Sequence, residues 1–233
     1  MNDCQGSQPV RIGGGYVSIK AVIFDWDGTL VDSESHIVDS LLYAADCVGY
    51  EPQSRKQMAR VIGLAMDKAV RALFGDVSDE ELARYKAFYS DHFFNKKCDP
   101  SWLFDGVIET LDNLKASGLT LAIATGKARK GLDIALDSTQ LRHYFTAHRC
   151  ADETASKPDP AMLYQVLRDL GLNSDEAVMI GDTTYDLEMA KNAAMTSIGV
   201  SYGVHGKEVL AECSPVCIID SITDLPAALG NIG

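Results

Sequence analysis

Two aspartates, Asp25 and Asp27, stand just after the branched apolar run IKAVIF (residues 19–24), and Gly28 follows them. Residues two apart on a chain leaving a strand can both face one ligand if the backbone turns at the glycine. One carboxylate can then attack while the other moves protons. Thr125 and Gly126 follow a second apolar run, LTLAIA, and Asp182 and Asp186 follow a third, AVMIG. Lys157 stands in the loop SKPDP, where Pro158 and Pro160 restrict the backbone and can start the next helix. Four acids at one place repel one another and hold their protons unless a cation keeps them ionised, and oxygen-only ligands favour Mg²⁺. A phosphate ester arriving there would meet the metal and Lys157, with the Thr125 hydroxyl and the Gly126 amide to bind one of its oxygens. That is the inventory of a phosphoryl-transfer site. Asp25 would be the nucleophile that forms an aspartyl-phosphate, and Asp27 the group that protonates the departing alkoxide and then takes a proton from water.

Such a constellation needs strands that end side by side. Residues 19–24 have the pattern of a strand buried on both faces of a parallel sheet. Residues 32–98 turn helical, with HIVDSLLYAADCVGY, MARVI, KAVRALF and EELARYKAFYSDHFF spacing their apolar residues three and four apart. Alternation then resumes, with strands at 119–124, 145–150, 177–180, 196–200 and 216–219. The helices between and after them fall at 107–117, around 131–136, and at 160–170, 183–192 and 222–229. This order predicts right-handed crossovers and an α/β, doubly wound parallel sheet, a Rossmann-like core. Ligands bind such sheets beyond the carboxyl ends of the strands, where the polar residues above stand. The expected division is a loose leader (1–18), a core (19–31 and 99–233) and a small all-helical cap domain inserted after the first strand (32–98). Hinges are expected near residues 31–33 and 98–103.

The chain of 233 residues, 46% of them hydrophobic, is long enough for a full core. A net charge of −12 argues against general affinity for nucleic acid or an anionic membrane. No apolar run approaches the roughly 20 residues that span a bilayer, and the first 16 residues lack the apolar core of a signal peptide. The reading is a cytoplasmic monomer or homodimer whose partner is a small phosphorylated metabolite. Six cysteines (Cys4, Cys47, Cys98, Cys150, Cys213 and Cys217) form neither a C-x-x-C motif nor a paired zinc knuckle, so reduced thiols are expected.

IFDWDGTLVDS, ATGK, SKPDP and MIGDTTYD resemble, in order, the four motifs of the haloacid dehalogenase-like hydrolases, a likeness that covers residues 19 to about 222. The helical insert resembles the family's first type of cap, found in phosphoglycolate phosphatase-like members and β-phosphoglucomutases. By that resemblance the metal is held by a carboxylate oxygen of Asp25, the backbone carbonyl of Asp27 and a carboxylate oxygen of Asp182, with Asp186 behind them through water or Lys157. It also makes phosphoglycolate the leading substrate, ahead of sugar phosphates and nucleoside monophosphates.

Plainer readings stand beside these. Asp182 and Asp186 also suit a helix start, and Lys127 reads as a solvated residue opening a helix. His36 reads as a partly buried helix histidine, Arg60, Lys68 and Arg71 as solvent-facing charges, and Trp26 as a packing residue. Gly63 and Leu64 mark the insert loop expected to face the site. The alternative functions are a β-phosphoglucomutase-like transfer on the same motifs, a receiver-like phospho-aspartate module, and an idle binding fold. Asp27 favours ester hydrolysis over dehalogenase or phosphonoacetaldehyde hydrolase chemistry, because those branches of the resembled family lack an acid there.

Overall fold

A computed structural model describes residues 18–51, 53–95 and 100–232. The strand β1 (Ala21–Phe24) leads into four helices, α1 (Glu34–Val48), α2 (Arg55–Ala59), α3 (Met66–Phe74) and α4 (Asp79–Asn95). Then come α5 (Val107–Ala116), β2 (Thr120–Thr125), α6 (Arg129–Thr139), β3 (Phe145–Cys150), α7 (Ala161–Leu170) and β4 (Ala177–Gly181). The chain ends with α8 (Thr184–Asn192), β5 (Thr196–Val200), α9 (Lys207–Ala211), β6 (Cys217–Ile219) and α10 (Leu225–Gly230). The strands form one parallel sheet in the order β3-β2-β1-β4-β5-β6. The winding direction reverses between β1 and β4, and the gap above their carboxyl ends is where such sheets hold ligands.

The central strand shows why its sequence has no polar residue. Val22 and Phe24 pack into a cluster with Val107, Leu111, Leu132 and Leu136 of α5 and α6. Ala21 and Ile23 point the other way, into a cluster with Met162, Leu163 and Val166 of α7 and Met189 of α8. Each such side chain removed from water contributes roughly 1.5–3 kcal/mol, so β1 is anchored from both faces. The four helices after β1 have a third cluster, in which Ile37 and Leu41 of α1 meet Met58, Val70, Leu82 and Tyr85. The buried Tyr85 hydroxyl donates to the Leu41 carbonyl at 2.7 Å.

The two chain segments that join this helical insert to the sheet run side by side. Asp32 N donates to the Trp102 carbonyl at 2.7 Å, and Phe104 N to the Leu30 carbonyl at 3.1 Å. The expected leader lies outside the described residues except for Ser18, as do residues 96–99, which include the helical residues expected up to Cys98 and the start of the second expected hinge. The helix expected over 222–229 divides into a 3-10 turn (Ile222–Asp224) and α10. The five-residue α9 is too short to show a helical period in sequence. The described cysteines, Cys47, Cys150, Cys213 and Cys217, are free thiols. No helix among the described residues is long and apolar enough to cross a membrane.

Candidate active site

Asp25 is the first residue beyond β1, and its amide donates to the Ile180 carbonyl of β4 at 2.9 Å, which ties it to the switch point. Asp182 is the first residue beyond β4, and Thr125 closes β2. The loop before α7 brings in Lys157, which is fully buried, with its Nζ 2.6 Å from Asp186 Oδ1 and 2.9 Å from Asp25 Oδ1. The structure thus gathers Asp25, Asp182, Asp186 and Lys157 in one buried cluster. Asp27 and Thr125 join the wall of the cavity above it.

Each carboxylate has a distinct set of partners. Asp186 caps its own helix: its Oδ2 accepts from the Thr183 hydroxyl at 2.6 Å and the Thr183 amide at 3.1 Å, while its Oδ1 accepts from Lys157. The helix-start reading of this motif therefore holds, and the same carboxylate also pairs with Lys157. Asp182 accepts from the Thr29 hydroxyl and the Val204 amide, both at 2.8 Å. Asp25 differs, because neither of its buried oxygens has an aligned hydrogen-bond donor and only the ion-pair contact with Lys157 reaches it.

That isolation appears in the acid strengths. Burial pushes Asp25 up to about 7, with Asp186 and Asp27 adding to the effect and Lys157 opposing it. Burial also holds Asp182 well above the usual carboxylate range, reinforced by Asp186 and Asp25. For Lys157 burial favours the neutral amine, yet Asp186 and Asp25 outweigh it and keep the ammonium charged above its ordinary range.

Oxygens of Asp25, Asp182 and Asp186 lie within 4.8 Å of one another. An all-oxygen cluster holding an unsatisfied buried carboxylate fits a hard divalent cation. Asp186 accepts three hydrogen bonds, Asp182 accepts two, one on each oxygen, and Asp25 has only its contact with Lys157, so Asp25 and Asp182 keep the most lone pairs to spare. The residues present therefore fit a metal ion.

Gly28 permits this cluster to close. Its φ is +80°, and a Cβ built there would stand 2.1 Å from Asp182 Oδ2. Gly28→Ala is accordingly expected to lower stability by about 1–3 kcal/mol and, by displacing Asp182, to weaken binding of a divalent cation at the cluster and any activity that needs it. A thermal melt and an activity titration with metal check both halves, and wild-type behaviour in each would refute the close approach.

Above the cluster opens a cavity of about 750 Å³, walled by Asp25, Asp27, Thr125, Gly126 and Lys127 from the sheet side and by residues 61–69, Lys86, Tyr89 and Phe93 from the insert. Gly63 and Leu64 face it, as the sequence predicts. Gly126 lets the insert come this near, since a Cβ on it would meet the Gly63 carbonyl oxygen at 2.4 Å. Three hydrogen bonds span the same gap: Ala65 N to Ser156 Oγ at 2.9 Å, Lys68 Nζ to the Ser156 carbonyl at 3.1 Å, and the Tyr185 hydroxyl to the Arg60 carbonyl at 2.9 Å.

Among the residues given plainer readings, Lys68 stays exposed, as read, and also donates to the carbonyl before Lys157. One differs from expectation. Lys127 is not a solvated helix opener, because its Nζ contacts both oxygens of Asp27, at 2.8 and 2.9 Å, with its side chain 10% exposed. His36 is buried against Phe93 and Trp102 and Trp26 packs edge-on to Phe145, as read, and Arg71 stays exposed, as read, while also donating to the Val77 carbonyl. Sequence reasoning passed over Thr29, Ser33 and Val204, which serve the acids. Ser33 sits at the N-cap position of α1 but makes no capping bond, and its hydroxyl donates instead to Asp27 at 2.6 Å.

Asp25 and Asp27 after β1, Thr125 at the end of β2, Lys157 in the loop between β3 and α7, and Asp182 and Asp186 after β4 thus stand in the order of the four motifs, and residues 22–200 match the family described as haloacid dehalogenase-like hydrolase. The chain belongs to that family. Among relatives of this haloacid dehalogenase-like hydrolase, the protein named "Probable phosphatase IndB" of Dickeya dadantii is 35% identical over 213 residues, spanning 89% of this chain and 92% of that one. A phosphoglycolate phosphatase of Agrobacterium fabrum is 31% identical over 214 residues, spanning 89% and 91%. Among solved structures, a hydrolase from Pseudomonas syringae shares the hydrolase's fold at a TM-score of 0.83, with 24% identity over 92% of this chain and 99% of that one.

Proposed function

We propose that this hydrolase is a Mg²⁺-dependent phosphatase of small phosphate monoesters, with phosphoglycolate as its first candidate substrate. The observation that carries the reading is Asp25: a buried carboxylate with no aligned donor, beside a buried ammonium, at the floor of a cavity. A carboxylate left without donors is a stronger nucleophile than one wrapped in hydrogen bonds, and the neighbouring ammonium opposes the burial that favours its protonated form. The named activities of the Agrobacterium fabrum and Dickeya dadantii relatives support phosphate-ester chemistry and, for the former, the substrate.

In this mechanism an Asp25 oxygen attacks phosphorus, the ester P–O bond breaks, and the departing oxygen takes its proton from Asp27. Water then attacks the aspartyl-phosphate, its proton returns to Asp27, and the bond from Asp25 to phosphorus breaks to release inorganic phosphate. Lys157, the Thr125 hydroxyl and the Gly126 amide bind the phosphoryl oxygens. Asp186 holds Lys157 in place. Mg²⁺ held by a carboxylate oxygen of Asp25, the Asp27 carbonyl and Asp182 would supply positive charge to the transferring group. The helical insert after β1 acts as a cap that closes over the substrate and excludes bulk water, with motion near residues 31–33 and 100–103.

The test is release of inorganic phosphate from phosphoglycolate, sugar phosphates and nucleoside monophosphates, with Mg²⁺ and with a chelator. Hydrolysis that falls at least about 100-fold on chelation is expected. Hydrolysis indifferent to chelator would overturn the metal role, and an isomerised sugar phosphate without free phosphate would overturn hydrolysis in favour of transfer.

A further inference from the structure

Of Asp25, Asp27, Thr125, Gly126 and Lys127, which line the cavity at the strand ends, only Lys127 has no task in the phosphatase reading. It follows Thr125 and Gly126 beyond β2, and its ammonium contacts Asp27 Oδ1 at 2.8 Å and Oδ2 at 2.9 Å. The Ser33 hydroxyl adds a third bond, to Oδ1 at 2.6 Å. The pair is nearly closed to solvent, at 10% and 9% side-chain exposure, and the Phe93 ring of α4 lies 4.8 Å from the ammonium. A carboxylate offers about four lone-pair positions on its two oxygens. Three are taken here, two on Oδ1 and one on Oδ2, so a single position on Oδ2 remains for a proton.

We infer that Lys127 is a positioning residue for the proton-relay step: with Ser33 it fixes the Asp27 carboxylate so that only one site on Oδ2 is free to carry the proton. The inference rests on the phosphatase reading of Asp25 and Asp27. The proton delivered to the leaving oxygen comes from that site, and the proton taken from the hydrolytic water returns to it, while Lys127 and Ser33 hold the carboxylate through both halves. Ser33 gives up the helix cap for this purpose, and the insert covers the clamp through Phe93. Contact with both oxygens is not special in itself, since Lys207 makes the same contact with the exposed Asp220; what sets Lys127 apart is that its acid is buried and lines the cavity above Asp25.

The leaving group separates these possibilities. An alkyl phosphate needs the proton from Asp27, whereas p-nitrophenyl phosphate expels a phenolate that leaves without one. kcat/KM reports the reaction only as far as formation of the aspartyl-phosphate. In Lys127→Met, kcat/KM for an alkyl phosphate is expected to fall about 10- to 100-fold more than kcat/KM for p-nitrophenyl phosphate. Ser33→Ala, which removes one donor and no helix cap, is expected to change the ratio in the same direction by a smaller factor. In an Asp27→Asn background, adding Lys127→Met is expected to leave the ratio where Asp27→Asn alone puts it. Equal losses on both substrates, in variants whose melts match wild type, would overturn the positioning role. If Lys127→Met does not fold, an unchanged ratio in Ser33→Ala would overturn it alone. Wild-type turnover by Asp25→Asn would instead remove the reading of Asp25 as nucleophile, and the inference with it.

Discussion

Asp25→Asn is expected to lower turnover of any phosphate ester by about 10,000-fold and, at the same time, to make the metal-free protein more stable at pH 8. Loss of activity follows because the amide cannot form the aspartyl-phosphate. The gain in stability follows from burial. Asp25 sits with its charge unsolvated, near Asp182, Asp186 and Asp27, and burial raises its acid constant to about 7 from the ordinary 3.8. The folded state therefore holds this proton more tightly than the unfolded state does. The group's contribution to stability is fully present below about pH 4 and is lost as the pH rises through about 7, on the order of a few kcal/mol. An asparagine does not titrate. Melting temperatures of the two chelated proteins should thus nearly coincide at pH 4 and separate progressively up to pH 8, with the variant higher. Added Mg²⁺ should raise the wild type at pH 8 far more than the variant. A variant less stable than wild type at pH 8 would mean that the contact with Lys157 outweighs the repulsion among the acids.

Why Asp25 could be found in sequence at all is a matter of strand patterning. A four-residue strand with apolar side chains on both faces is legible because burial on two sides removes every polar residue, and the polar residues that reappear at its end stand out. The same contrast exposes Thr125 and Asp182. Lys157 was legible only through its motif, since a buried lysine and a solvated one look alike in sequence; its burial comes from Asp25 and Asp186, both far away in the chain. Lys127 was misread for the same reason. Its default is water, and what overrides the default is Asp27, a hundred residues earlier and brought near by the β1 to β2 pairing.

Ser33 shows the opposite failure. Local rules assign its hydroxyl to the first turn of α1, and the site takes it away. The insert was readable as helical from its spacing, but not where it meets the sheet. Ala65, Lys68 and Arg60 make those contacts largely through backbone groups, to which sequence patterns are blind. Gly63 and Gly126 were the exceptions. A glycine at a strand end or within a loop marks a backbone that something must approach, and here the two approach each other.

Removal of Lys157 should be the most destructive single change in the molecule. Its ammonium is the only cation in contact with the buried acid cluster among the described residues, and it is closed to water. Lys157→Met fills much the same volume but leaves Asp25 and Asp186 buried without their counter-charge. Breaking a buried pair in this way costs roughly 3–5 kcal/mol, enough to unfold a domain of ordinary stability. If the loss comes from stranded charge, neutralising a partner should restore part of it, so Lys157→Met with Asp186→Asn should melt above Lys157→Met alone. Activity should not return in the double variant, because the phosphoryl oxygens would still lack their ammonium. Chemical denaturation of the two variants beside wild type and Asp186→Asn closes the cycle. A double variant no more stable than the single one would show that Lys157 stabilises by filling space, and full activity in either would show that the buried ammonium is not needed by the phosphate it faces.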